Sequence, residues 1–264
     1  MTTRLFLTLT AAGLFAGILA GLLGIGGGTV LAPILVALGY DPVQAVATSS
    51  LAIVITSLSG SIQNWRMGYL DFRRILYLGV PALITAQVGV ALAGWLPGWI
   101  LLTAFGCLLL SNVYLVELRK RLVTQSTNRS AGDAPDPKIW NPAIASILTG
   151  GAAGLLAGLF GVGGGVIMVP LQILLLNEPI KRAIQTSLGV IVLTAIASTA
   201  GHALNGNVLW TPGILLGLGG LIGAQFSTRL LPKLPDRIVS LLFRGLLFVL
   251  AFYIFWQAWN AYGS

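Results

Sequence analysis

Charge is what this chain has least of. Asp, Glu, Lys and Arg together make up 8% of its 264 residues, where a soluble domain carries roughly 25%. With 56% hydrophobic residues, the chain has too little polar surface to cover itself in water, so most of it must be solvated by lipid. Cysteine and histidine are scarcer still, with one of each. A lone Cys107 in an apolar run excludes an internal disulfide and reads as a small packing residue. One His and one Cys leave no ligand set for a dedicated metal site, and no cofactor is expected. A basic face with interleaved aromatics on a soluble module is also missing, so the net charge of +8 does not point to nucleic acid. Positive-inside bias accounts for it.

Glycine and proline are not scarce, at 34 and 12. They sit inside long apolar runs, where membrane helices tolerate them. Five such runs precede a polar stretch: about Leu5–Leu23, Thr29–Leu38, Pro42–Gln63, Phe72–Leu96 and Trp99–Leu118. Five more follow: about Trp140–Phe160, Val166–Leu176, Ile180–His202, Trp210–Leu231 and Ile238–Trp259. The stretch Arg119–Lys138, with charges, Asn, Ser and two prolines, reads as a linker. A spanning helix needs about 20 residues. Eight runs meet that length; Thr29–Leu38 and Val166–Leu176 do not. The first run, behind Arg4, has the look of a signal peptide. Its counterpart recurs in mid-chain, so it is expected to stay in the mature protein.

The two short runs belong to one motif written twice. AGLLGIGGGTVLAP at Ala20–Pro33 returns 137 positions later as AGLFGVGGGVIMVP at Ala157–Pro170. At the same offset Asp41-Pro42 matches Glu178-Pro179, and Ser50-Leu51 matches Ser187-Leu188. At an offset of 138, Asn64 matches His202, Gly68 matches Gly206, Ala86-Gln87 matches Ala224-Gln225, and Leu96-Pro97 matches Leu234-Pro235. The chain is two related halves, 1–118 and 139–264, joined by 119–138 into one transport domain. Placing the linker in the cytoplasm, and treating each short run as half of a hairpin, puts 14 of the 15 basic residues on one face. Both termini then fall outside, and the second half is inverted relative to the first. The expected fold is all-α and polytopic: two inverted-topology repeats, each of four spanning helices plus a short broken or re-entrant helix after a Gly-rich turn. That is the architecture of an alternating-access transporter.

Candidate site residues come in matched pairs. Gly26, Gly27 and Gly28, with Gly163, Gly164 and Gly165, would each cost a helix about 1 kcal/mol and unwind it. The freed N–H groups and the dipole of the following short helix suit an anion; close helix packing is the other use of such small residues. Thr48, Ser49 and Ser50 match Gln185, Thr186 and Ser187. These groups either donate to an uncharged-site anion or bond back to their own helices. Asn64 matches His202, the one side chain near the membrane that titrates close to neutral pH. His202 either binds an anion or relays a coupling proton, or it is a satisfied neutral histidine. Gln87 and Gln225 either line a cavity or stitch helices together. No Asp, Glu, Lys or Arg falls in mid-span, which disfavours a cation as substrate. Asp41 and Glu178, each before a proline, read as caps at chain reversals. A serine–histidine pair of Ser59 or Ser187 with His202 would make an intramembrane hydrolase, but no G-x-S-x-G elbow accompanies it. A passive anion channel is the alternative on the same scaffold.

On the twin glycine motifs, ATSSLA at Ala47–Ala52, the Asn64/Gly68 and His202/Gly206 pairs, and LIGAQ at Leu221–Gln225, the chain resembles the TauE/SafE family, the sulfite exporters. The resemblance covers both halves. It implies a multi-pass transporter of the bacterial inner membrane that moves a small sulfur-containing anion, such as sulfite or an organosulfonate. Asn64 stands where that family often has a histidine, so a symmetric His pair is not available here.

Overall fold

The computed structural model describes residues 3–111 and 141–262. The expected linker Arg119–Lys138, and the last part of the expected run Trp99–Leu118, lie outside the described residues. Within them the chain is helical, with no strand: α1 Thr3–Leu23, α2 Gly28–Ala37, α3 Pro42–Arg66, α4 Phe72–Ala93, α5 Gly98–Ser111, α6 Pro142–Phe160, α7 Gly165–Leu175, α8 Ile180–Leu204, α9 Trp210–Leu230 and α10 Asp236–Tyr262, with a 3-10 turn at Leu231–Lys233. Among the described residues seven helices are long and apolar enough to span: α1, α3, α4, α6, α8, α9 and α10. The protein is thus a multi-pass membrane protein.

α2 and α7, of 10 and 11 residues, reach about 15 Å at 1.5 Å per residue, half of a hydrocarbon core. The glycine triplets make them short. Gly26 and Gly27 have φ of 72° and 83°, and Gly163 and Gly164 have 75° and 76°. That left-handed backbone ends one helix and starts the next, and only glycine takes it without Cβ strain. Three of the long helices, α3, α4 and α6, begin at side-chain caps: Asp41 accepts from Val43 N, Asp71 from Arg74 N and Asn141 from Ala143 N. Glu178 departs from the expected pattern. α8 is preceded by Pro179 without a side-chain cap, and the Glu178 carboxylate is turned to arginines instead.

Helix directions follow from who meets whom. Gly13 and Gly17 of α1 lie against Leu216 and Gly220 of α9, in the same order. Ser59 and Gln63 of α3 meet Leu221 and Arg229 of α9, again in order. On the other side, Gly150, Gly154 and Gly158 of α6 lie against Leu78, Ala82 and Ala86 of α4. So α1, α3 and α9 run one way and α4 and α6 run the other, with α8 beside α4 in parallel through Gly79 against Leu193 and Gln87 against Ala197. α3 and α8 cross the centre antiparallel, Ser50 meeting Ser198 and Gly60 meeting Leu188. They are 72% and 78% buried along their spans, where α1, α4 and α10 are 39% buried, so the first pair is the protein-facing centre and the others face lipid. Small residues let α1/α9 and α4/α6 approach to backbone contact, the dominant helix-packing device in lipid.

Candidate functional site

The glycine tips meet at the centre. Gly28, the first residue of α2, faces the Gly161 carbonyl; Gly165, the first residue of α7, faces the Gly24 carbonyl. Gly24 corresponds to Gly161 and Gly28 to Gly165, so this is one contact made twice. A Cβ at Gly28 would stand 2.5 Å from Gly161 O. Gly27 and Gly164 pack on Ala16 and Ala153 of their own hairpins. Gly26 and Gly163 face the same two side chains, Ile53 and Ile191, with Ile191 Cγ2 3.0 and 2.8 Å from a built Cβ. Ile53, Ile191 and Ala195 form a small buried cluster there. The middle of the protein is therefore an apolar plug between the two tips.

The hydroxyl triplet near the start of α3 is closed against the other half. Thr48 Oγ1 accepts from Leu209 N at 3.1 Å, Ser49 Oγ donates to Gly161 O at 2.9 Å, and Ser50 Oγ shares a 3.0 Å hydrogen bond with Ser198 Oγ. The matching residues on α8 do otherwise. Gln185 and Thr186 line an open cavity of about 370 Å³ with Gly68, Tyr69, Asp71, Arg74 and Arg182. Ser187 donates to Ala183 O and accepts from Gln172 Nε2. By offset, Leu209 corresponds to Asp71 and Thr48 to Gln185. The same pair of positions is thus hydrogen-bonded on one face and separated by a cavity on the other.

Of the remaining predicted residues, Asn64 and His202 are buried, Gln225 is half-buried and Gln87 is exposed. Asn64 is fully buried, and neither amide atom has a hydrogen-bond partner. His202, 1% exposed, places Nε2 3.1 Å from the Gly158 carbonyl, while Nδ1 has no partner. Gln87 Nε2 donates to Ala197 O at 2.7 Å, and Gln225 Nε2 to Ser59 O at 3.1 Å. Of the two uses open to these amides, stitching helices is the one observed. Gln87→Leu is accordingly expected to lower stability by about 1 kcal/mol, the worth of one interhelical hydrogen bond in lipid. It should leave the transport KM unchanged. A melting series on purified protein beside uptake kinetics checks both halves of that statement. The serine–histidine pairings do not form. Ser59 Oγ donates to Leu221 O, and Ser187 sits 15 residues from His202 on one helix, roughly 22 Å along its axis.

One constellation escaped the sequence reading. Glu178, 6% exposed, pairs with Arg74 from the other half through Oε1, and its Oε2 lies 3.7 Å from Arg182 Nη1. Arg74 lines both the 370 Å³ cavity and a neighbouring one of about 620 Å³ that also carries Arg73, Tyr77 and Asn141. The signal that was available is that Glu178 matches Asp41 yet is followed within four residues by Lys181 and Arg182.

A family model described as Sulfite exporter TauE/SafE matches residues 9–254. The chain is 26% identical to a probable membrane transporter protein, YunE, of Bacillus subtilis, over 93% of this chain and 95% of that one. It is 31% identical to a second, YdhB, from the same organism, over 82% and 88%. A probable membrane transporter protein of Methanocaldococcus jannaschii is 26% identical over 92% of each chain. No solved structure matches the chain.

Proposed function

The chain belongs to the sulfite exporter TauE/SafE family, and on that premise we propose that it is a secondary transporter of a small sulfur-containing anion, of the sulfite or organosulfonate class, working by alternating access between two inverted repeats. The observation that carries this reading is the unequal packing of equivalent positions. Thr48 is bonded to Leu209 while Gln185 and Asp71 border a cavity. Two like gates in opposite states are what one conformation of an alternating-access carrier has, and exchanging the states gives the other. The helix directions support the inversion: α1, α3 and α4 run in the sense opposite to their counterparts α6, α8 and α9. The face with Arg66, Arg73, Arg74, Arg182 and Arg229 is the cytoplasmic one by the positive-inside rule, so the conformation is inward-facing, in a bacterial inner membrane.

Within the proposed pathway, Gln185 and Thr186 meet the anion on the open side, and Thr48, Ser49 and Ser50 meet it when the other side opens. The first-turn N–H groups beside Gly26–Gly28 and Gly163–Gly165 lie between the two. Neutral donors suit an anion in a site with no mid-span carboxylate. His202, with a ring nitrogen left over, is the candidate for proton coupling. Labelled sulfite and organosulfonates in proteoliposomes test the reading. Saturable uptake that accelerates with unlabelled anion inside is the expected result. Non-saturating flux with large unitary currents would assign a channel.

A further inference from the structure

We propose that Arg74 and Arg182 form an anion-capture site at the mouth of the open cavity, and that Glu178 is its built-in competitor. This rests on the anion reading above. The Glu178 carboxylate already occupies the place of an oxyanion: one oxygen is on Arg74 and the other faces Arg182. Both arginines line the cavity, whose remaining walls include Gln185, Thr186 and the more exposed Asp71, with Oδ2 4.0 Å from Arg74 Nε. The Glu178 side chain is 7% exposed, whereas those of Arg74 and Arg182 are 36% and 62% exposed. The guanidiniums thus have faces turned to solvent while their internal partner is held inside. An arriving sulfite or sulfonate meets two planar donor forks suited to bidentate oxyanion contacts.

A carboxylate in residence has two consequences. It keeps the arginines oriented when no substrate is present, which lowers the ordering cost of capture. It also competes with the substrate, so capture stays weak enough for the anion to move on toward Gln185 and Thr186. The pairing joins the two halves, Arg74 from α4 with Glu178 and Arg182 from the α7–α8 hairpin. Displacement of Glu178 from Arg74 by substrate therefore loosens a tie across the cavity that must close in the opposite conformation. Among the described residues no matching ion pair stands on the other face, where Asp41 caps α3 and Pro212 occupies the position equivalent to Arg74. Capture is thereby one-sided.

The test uses the full chain carrying Cys107→Ser and Thr186→Cys in inside-out vesicles. The probe is 2-sulfonatoethyl methanethiosulfonate, itself a small sulfonate. The thiolate attacks its sulfenyl sulfur, a disulfide bond forms and methanesulfinate leaves. At constant ionic strength, sodium ethanesulfonate, which unlike sulfite consumes neither the reagent nor the disulfide it forms, is expected to slow this reaction saturably. Glu178→Gln is expected to lower the half-protecting ethanesulfonate concentration about fivefold, and Arg182→Gln to raise it by a similar factor. Opposite shifts from the two variants are the mark of competition. A merely structural tie would move protection the same way in both, or not at all, and either outcome overturns the proposal, as does absence of protection in the parent. Uptake of labelled sulfite and ethanesulfonate is scored separately, in vesicles of the chain that keeps Thr186. Protection without counterflow would refute the transporter reading and leave the capture site standing; counterflow with an unchanged KM in Arg182→Gln would do the reverse.

Discussion

Cysteines at Thr48 and Leu209, in a Cys107→Ser background, are expected to join under mild oxidation and to reduce uptake more than about tenfold, with full recovery on reduction. The Leu209 N–H and the Thr48 hydroxyl are 3.1 Å apart. That holds the two Cα atoms to about 7 Å apart at most, close to the range of roughly 4.4–6.8 Å over which disulfides generally close. A bond there fixes the closed face. A carrier must open that face once per cycle, so a single cross-link stops turnover although nothing has been added to the cavity. The repeat equivalents, Gln185→Cys with Asp71→Cys, both line the open cavity of about 370 Å³. They are expected to resist cross-linking in the inward-facing state and to link only in the outward-facing one. Saturating ethanesulfonate, which does not cleave disulfides as sulfite does, should then shift the yields of the two pairs in opposite directions, because a ligand redistributes two states only through its differential affinity for them. Linked Thr48/Leu209 protein that transports at the parent rate would remove the gate assignment.

Why these two pairs differ was not readable in the residues. Sequence symmetry places Thr48 with Gln185 and Leu209 with Asp71, but a conformation breaks that symmetry, and only coordinates say which member is engaged. The scaffold was readable for the converse reason. Glycine triplets inside apolar runs cannot continue a helix in lipid, and their recurrence at a fixed offset placed α2 and α7 within a residue or two. α3 and α4 begin at Asp41 and Asp71 because short acidic side chains cap N-termini. The same logic misassigned Glu178: its position before a proline imitates Asp41, while its partner Arg74 is 104 residues away in the other half. Tertiary ion pairing of that kind leaves no local trace. For the matched amides Gln87 and Gln225, cavity lining and helix stitching call for the same residue. Only the carbonyls of Ala197 and Ser59 distinguish the two.

The largest effect on stability is expected at the tips. Gly28→Val and Gly165→Val should each lower the apparent melting temperature of purified protein by more than about 6 °C, from a penalty of roughly 3 kcal/mol or above. Neither glycine has a positive φ, so the penalty is not one of backbone conformation. It comes from what lies opposite: the Gly161 carbonyl in one case and the Gly24 carbonyl in the other. A carbonyl cannot rotate away as a flexible side chain can, and each belongs to the turn that positions the opposing short helix. Pushing one tip back therefore disturbs both. Gly245→Ala, mid-helix in α10 with nothing within 4 Å of a built Cβ, is the matched control and should be neutral or stabilising by up to about 1 kcal/mol. Gly163→Ala separates packing from binding. Its added carbon meets the Ile191 and Ile53 methyl groups, which can yield, so that variant should survive purification, with a left-handed backbone cost of about 1–2 kcal/mol. Its sulfite counterflow then reports on the N–H groups beside it. If Gly28→Val and Gly165→Val melt with the parent protein, the reciprocal contact does not hold the two halves together. In that case the tips are free to move, and the fixed point of the transport cycle must lie elsewhere, on the crossing of α3 and α8.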